Sequence, residues 1–318
     1  MNPKVCAFPE AAGFFTPPSK APQTGYVFDE RYLLHVIEDR HPESPERLIF
    51  MNSFLSESGI LEKCVIVKPM LDVEKYIREI HSKAHISSVL KIPTTGLIAK
   101  LAVGGALAAV KAVHGGTIKN AFCAIRPPGH HAHNSGREEG FCYFNNIAIT
   151  AKYAQELGHG KILIIDCDFH HGNATQDAFC DDPSVLFFST HALYAYPGTG
   201  SPAFKGEGPK HGLNINVGLP HHAQDADIIA AWVSILMPAV DKFKPDFVLI
   251  SAGFDSRKGD PLGDFAITDA GFAKLTEMAM DIARRHCGNR LVSILEGGYN
   301  PEGLALAIAA HIEKLLKI

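Results

Sequence analysis

Four short runs of apolar residues, many of them β-branched, punctuate the chain: AFCAI (121–125), KILII (161–165), DFVLI (246–250) and RLVSIL (290–295). None alternates strictly with polar positions. Each therefore reads as a strand buried on both faces, the pattern of a parallel sheet. Between and after them the apolar positions recur at helical spacing over 145–157, 225–243, 269–287 and 301–317. Asn300 and Pro301 form an N-cap and first helical position for the last of these. SPERLIFMNSFLSESG reads as a further helix in the less regular first hundred residues. Strands alternating with helices predict an α/β fold, a single-domain parallel β-sheet with helices on both faces. No repeat or Ser/Gly linker divides the chain, so one domain is expected over 1–318.

A net charge of −4, with 46% hydrophobic residues and no Lys/Arg block, describes a soluble protein without direct nucleic-acid binding. Seven cysteines without a C-x-x-C pair suit reduced core thiols better than disulfides or a thiolate zinc site. The N-terminal stretch MNPKVCAFPEAAGFFTPPSKAP has no basic start and apolar core, so no signal peptide is read. The apolar runs LAVGGALAAVKAV and LALAIAAHIEKLL are interrupted by charge, and no membrane span is expected. Cytoplasmic location is the default expectation, and self-association is left open.

Ligands of a parallel α/β sheet bind beyond the carboxyl ends of its strands. All four runs deliver chemistry there: His130 and His131; Asp166, Asp168, His170 and His171; Asp255 and Asp260; Glu296 and Tyr299. Asp166, Asp168 and His170 stand at i, i+2 and i+4, which in extended backbone puts them on one side. Two anions and an imidazole facing one way suggest a metal; the alternative is an Asp capping a turn beside packed histidines. With Asp255 from another strand, an O, N, O set leaves an open position for catalysis. Zn2+ suits that set, and so does Fe2+. His130 and His131, on a Pro-Pro-Gly turn, are candidates for the proton-transfer groups, with Asp166 and Asn173 available to orient them. Tyr299, after Gly297 and Gly298, can present a phenol to an oxyanion.

These residues resemble the zinc-dependent histone deacetylase family, in its class II-like and bacterial amidohydrolase branch, with the arginase-deacetylase fold. TGYVFDERYLLH, HPESPERL, RPPGHHA, GFCYFNN, DCDFHHGNATQDAF, STH, YPGTG, FKPDFVLISAGFDS, GDPLG and EGGYN carry the resemblance in order along nearly the whole chain. It implies zinc on Asp168, His170 and Asp255, with His131 as general base and acid. His130 assists electrostatically, Asp166 orients His130, Asn173 orients His131, and Tyr299 polarises the substrate carbonyl. Phe141, Tyr196 and the Gly140 carbonyl match the acyl-lysine tunnel, and Leu262 stands in the GDP-x-G turn where polyamine-selective relatives carry an acid. Arg47 matches an arginine near an internal acetate channel. A structural K+ is implied beside Asp166, using backbone oxygens of Asp168 and His170 with Ser189 and Thr190. The resemblance gives His171 no metal role, and Asp260 and Glu296 read as supporting or turn residues.

Departures are also visible. Asn173 replaces the class I aspartate, and Ala174 replaces a glycine, which raises the question of a positive φ there. LKIPTTGLIAKLAVGG lacks the acid with which many relatives grip the substrate backbone, and His221 and His222 could edge the pocket or be solvated. The implied activity is removal of acetyl or related acyl groups from lysine side chains of a protein or peptide. The alternative is a small acetylated amine such as an acetylpolyamine. A silent acyl-lysine reader would lack a ligand, the base or the tyrosine, and all are present.

Overall fold

In the computed structural model, which describes residues 23–206 and 213–317, the buried apolar runs become neighbours in one sheet. The N-terminal stretch read as lacking a signal peptide, and Cys6 within it, lie outside the described residues. The strands are β1 (Thr24–Val27), β2 (Val65–Val67), β3 (Asn120–Cys123), β4 (Ile162–Asp166), β5 (Val185–Ala192), β6 (Asn214–Leu219), β7 (Phe247–Ala252) and β8 (Leu291–Leu295). All pair in parallel in the order β2-β1-β3-β8-β7-β4-β5-β6. The four runs read from sequence are β3, β8, β7 and β4, the four adjacent central strands. The outer strands escaped that reading because β1 and β2 are only four and three residues long and asparagines break the apolar run of β6. β5, eight buried residues that open on VLFF, carried a comparable signal.

The helices are α1 (Pro45–Glu57), α2 (Glu74–Ile77), α3 (Lys83–Leu90), α4 (Thr95–His114), α5 (Asn146–Glu156), α6 (Asn173–Phe179), α7 (Asp225–Ala231), α8 (Met237–Phe243), α9 (Asp269–His286) and α10 (Pro301–Leu315). A π-helical turn, Trp232–Leu236, joins α7 to α8, so the helix expected over 225–243 is present with one widened turn. Helices α4 and α5 pack together against the central strands, while α1, α9 and α10 form a second packed group. α4 is long and apolar enough, by length and composition, to cross a membrane, yet 78% of its apolar window is buried in the protein. It is a core helix. Ile162–Ile165 are fully buried, and each such side chain contributes roughly 1.5–3 kcal/mol to the core that fixes the strand ends.

Candidate active site

Because β3, β8, β7 and β4 are consecutive in the sheet, the loops that follow them meet over its middle. They bring together His130 and His131, Glu296 to Tyr299, Asp255, and Asp166 to His170, all buried except half-buried His170. The convergence expected from sequence is present, but its local geometry differs in one respect. Strand β4 ends at Asp166 and does not continue extended through His170. The Asp166 carboxylate accepts the Asp168 N–H at 3.1 Å, and this side-chain bond turns the chain out of the sheet. Asp166 then faces His130 while Asp168 and His170 face Asp255.

Ligand atoms of Asp168, His170 and Asp255 all lie within 4.8 Å of one another. His170 Nδ1 is 2.9 Å from Asp255 Oδ2 and 3.3 Å from Asp168 Oδ1. The outer oxygens are held by backbone: Asp168 Oδ2 accepts from Gly297 N at 2.9 Å, and Asp255 Oδ1 from Phe169 N at 2.8 Å. Two carboxylates and one imidazole, pre-aimed from two loops, fit a divalent cation.

Beside this set, His130 Nδ1 lies 3.0 Å from Asp166 Oδ2 and His131 Nδ1 lies 2.8 Å from Asn173 Oδ1. The amide oxygen of Asn173 can only accept, so His131 carries its proton on Nδ1 and leaves Nε2 as a proton acceptor. Its ring centroid is 6.2 Å from that of His170. Gly172 allows this packing, since a Cβ there would lie 2.1 Å from Asp166 Oδ2. Ala174 lies inside α6, so that position needs no positive φ.

The two adjacent histidines are driven in opposite directions. Burial opposes charge on His130, but Asp166, Asp168 and Glu296 outweigh it and raise its pKa well above the imidazole range. Burial and then the charge of His130 hold His131 well below that range. Burial, followed by the Asp168 charge, raises Asp255 to about 7, and burial raises Glu296 to about 7. Four buried carboxylates around two histidines favour a bound cation. Burial and then the Asp255 charge keep the Tyr299 phenol protonated, a hydrogen-bond donor.

Tyr299 is positioned through its neighbours. Asp260 accepts its N–H at 2.6 Å, and Arg47 places its guanidinium 5.0 Å from the ring while donating to the carbonyls of Glu296 and Gly298 at 2.6 Å. Arg47 itself is fixed by buried Glu43, which also accepts from Arg126. Asp260 thus acts as the turn residue expected. Glu296 does more, receiving the Gly129 N–H at 2.6 Å and the His130 N–H at 3.3 Å beneath the histidine pair.

The pocket mouth is built on a tight turn. Glu139 and Cys142 exchange backbone hydrogen bonds of 3.0 and 2.9 Å, and the residues between them, Gly140 and Phe141, have φ of +54° and +67°. A type I′ turn requires such angles at both central positions. A Cβ on Gly140 would lie 2.4 Å from His131 Cδ2, so glycine is obligatory. Phe141 costs roughly 1–2 kcal/mol there, and Glu138 helps hold it by accepting its N–H. The turn delivers the Phe141 ring to 5.8 Å from Tyr299 and 4.6 Å from His41. Tyr196 stands 5.0 Å from the His131 ring and 6.1 Å from that of His170, and Leu262 is exposed in its own turn. From behind, two stacked histidines brace the loop. His81 Nε2 accepts the Asn145 N–H at 2.8 Å while its Nδ1 donates to His133 O at 3.1 Å. His85 Nδ1 accepts from Gly136 N at 3.0 Å and its Nε2 donates to Tyr143 O at 2.7 Å.

Strand pairing places Ser189 opposite Asp166, with Thr190 next to it. His191 Nε2 must donate to Gly200 O at 3.0 Å, so its Nδ1 accepts from Ser189 at 2.9 Å and the Ser189 lone pairs are free. His171 lies away from the ligand set, bonded to Thr199 at 2.8 Å. His221 pairs with Asp264 at 2.7 Å and Leu193 O at 3.1 Å, and His222 is exposed; among the described residues neither is hydrogen-bonded to the Asp168, His170 and Asp255 set or to the His130–His131 pair. The brace of His81 and His85, and the mouth position of Glu138, were missed in the sequence. Only the acidic pair directly before Gly140-Phe141 offered a signal for the latter.

The model of the histone deacetylase domain matches residues 41–315. A probable deacetylase of Archaeoglobus fulgidus is 40% identical over 296 residues, 88% of this chain and 82% of that protein. Histone deacetylase 5 of Arabidopsis thaliana is 34% identical over 93% of this chain, which spans 49% of that longer protein. The crystal structure of the HDA15 HD domain superposes with a TM-score of 0.87 at 34% identity, covering 94% of this chain and 89% of that one. Fold, strand-end chemistry and these likenesses agree: the chain belongs to the histone deacetylase family.

Proposed function

We propose that the protein is a zinc-dependent deacetylase that hydrolyses the amide of acetylated, or related acylated, lysine side chains. The observation that carries this reading is His131: tied through Nδ1 to Asn173, with a free Nε2, next to the Asp168, His170 and Asp255 set. Zinc held by those three side chains would act as a Lewis acid and lower the pKa of water. His131 takes one proton from the attacking water as the C–O bond forms. It returns that proton to the lysine nitrogen as the C–N bond breaks, and the second water proton, left on the new carboxylic acid, passes to the amine, so the products are acetate and the lysine ammonium. Tyr299 donates its phenol O–H to the oxyanion that develops on the carbonyl. His130, positively charged through Asp166, stabilises negative charge without exchanging a proton. Phe141 and Tyr196 exclude water along the four-carbon arm. Ser189 and Thr190 with Asp166, Asp168 and His170 would hold a structural K+, which the free Ser189 lone pairs support.

A small acetylated amine is the second reading, favoured by the acid Glu138 at the mouth. The test compares acetyl-lysine peptide, longer acyl-lysine peptide and N-acetylputrescine with zinc supplied. Turnover of the peptides, lowered about 10²- to 10⁴-fold in His131→Ala and Tyr299→Phe, is expected. Turnover of none of them would overturn the enzyme reading, and an undiminished His131→Ala would overturn the base.

A further inference from the structure

The loop expected to supply an acid at the rim, LKIPTTG, contains none, but the mouth is not without one. Glu138 approaches it from the turn that carries Gly140 and Phe141. One carboxylate oxygen accepts the Phe141 N–H, which places the group at the root of the residue that faces Tyr299. Its charge also reaches Tyr196, whose phenol is raised first by burial, then by Cys142, and then by Glu138 and Glu139. The neighbouring acids are occupied: Glu139 holds the His133 N–H at 3.0 Å, Asp264 holds His221 at 2.7 Å, and Asp260 holds the Tyr299 N–H at 2.6 Å. Glu138 is exposed and forms no ion pair among the described residues, and its Oε2 makes no hydrogen bond among them.

We propose that Glu138 gives the pocket a preference for substrates that carry a positive charge outside the acylated arm. That charge is either a basic residue flanking the acyl-lysine of a peptide or the free ammonium of an acetylated polyamine. The inference rests on the deacetylase reading of the site and adds its charge selectivity. An acyl-lysine side chain is neutral, so the tunnel has no means of reading charge; an unpaired carboxylate at its mouth does. The exposed position makes the effect modest and dependent on salt.

The test uses the zinc-loaded full chain and three matched pairs: neutral against Arg-flanked acetyl-lysine peptide, neutral against Glu-flanked peptide, and N-acetylbutylamine against N-acetylputrescine. Rates are read as kcat/KM at low and high salt. Affinities of the same compounds are read on His131→Ala, with and without Glu138→Gln. At low salt the wild type is expected to favour the Arg-flanked peptide and N-acetylputrescine over their neutral partners, and the neutral over the Glu-flanked peptide, by roughly 3- to 10-fold, through KM, with the preference shrinking at high salt. Glu138→Gln keeps an acceptor for the Phe141 N–H and removes the charge, so it should erase the ratio. Glu138→Ala removes both and should also lower kcat on the neutral peptide, because the strained turn loses its support. Loss of the ratio for peptide, amine or both supports the proposal and identifies the source of the cation. An equal ratio in wild type and Glu138→Gln, or no cation preference in wild type, overturns it. If no compound is turned over, the deacetylase reading fails by itself, and the affinity ratios still decide the role of Glu138.

Discussion

The floor of the pocket and its mouth are built by opposite means. On the floor, Asp166, Asp168, Asp255, His130 and Glu296 are buried, and each carboxylate is held by backbone amides or by a neighbouring buried side chain. At the mouth, Tyr196 and Leu262 are 51% and 40% exposed, and Phe141 rides on backbone with positive φ. Charge held rigid in low dielectric sets the chemistry, whereas a turn held by a few hydrogen bonds sets access. A change to the floor should abolish function, and a change to the mouth should tune it.

The largest effect is expected from Asp255→Ala. Removal of one of three ligands should lower deacetylation by at least about 10³-fold and lower bound zinc in parallel, read by elemental analysis of the purified protein. Retention of stoichiometric zinc would separate Asp255 from the ligand set. Next is Gly140→Ala, which changes nothing on the floor directly but drives a methyl into the His131 ring, 2.4 Å away at Cδ2. An activity loss of roughly 10- to 100-fold is expected, as for a small misplacement of a catalytic group, with the melting temperature lowered by only about a few degrees, as the roughly 1–2 kcal/mol of strain at positive φ requires. Wild-type kcat would show that the turn yields more easily than the distances imply.

The smallest effect lies in the brace behind the mouth. Burial, then the neighbouring His85, lowers the pKa of His81 to about 3. The unfolded chain takes up a proton near pH 6.5, while the folded protein refuses it until about 3. The stability from His81 is therefore complete above about pH 6.5 and declines as pH falls through that window. His81→Leu leaves the Asn145 N–H and His133 carbonyl without their partner. It should destabilise the protein at pH 7.5 by about 1–3 kcal/mol and give a shallower loss of stability towards pH 5, measured by urea denaturation. Parallel pH slopes for the two proteins would exclude a neutral, proton-refusing His81.

The same contrast explains what could be read in advance. The floor was legible because few residue types can bind a metal or move a proton, and the strands that carry them are short, buried apolar runs. What periodicity could not supply was the bend after Asp166, where a side chain replaces a ladder bond and cancels the extended geometry expected for Asp168 and His170. The mouth was poorly legible. Phe141 and Tyr196 entered through family resemblance alone, and Glu138 depends on the sign of φ at two residues and on how an exposed side chain folds back. The His81 and His85 brace binds backbone atoms 51 to 64 residues away, and local pattern carries no record of such partners.

β8 has a consequence for the timing of biosynthesis. It is the last strand among the described residues, yet it lies between β3 and β7, in a slot about 10 Å wide that stays open until it arrives. Asp168, His170 and Asp255 have all left the ribosome by then, but the amide of Gly297 that holds Asp168, and Tyr299 itself, have not. A nascent chain can therefore expose all three side chains of the metal-capable set before the site around them is complete. Activity begins only when the final strand closes the middle of the sheet.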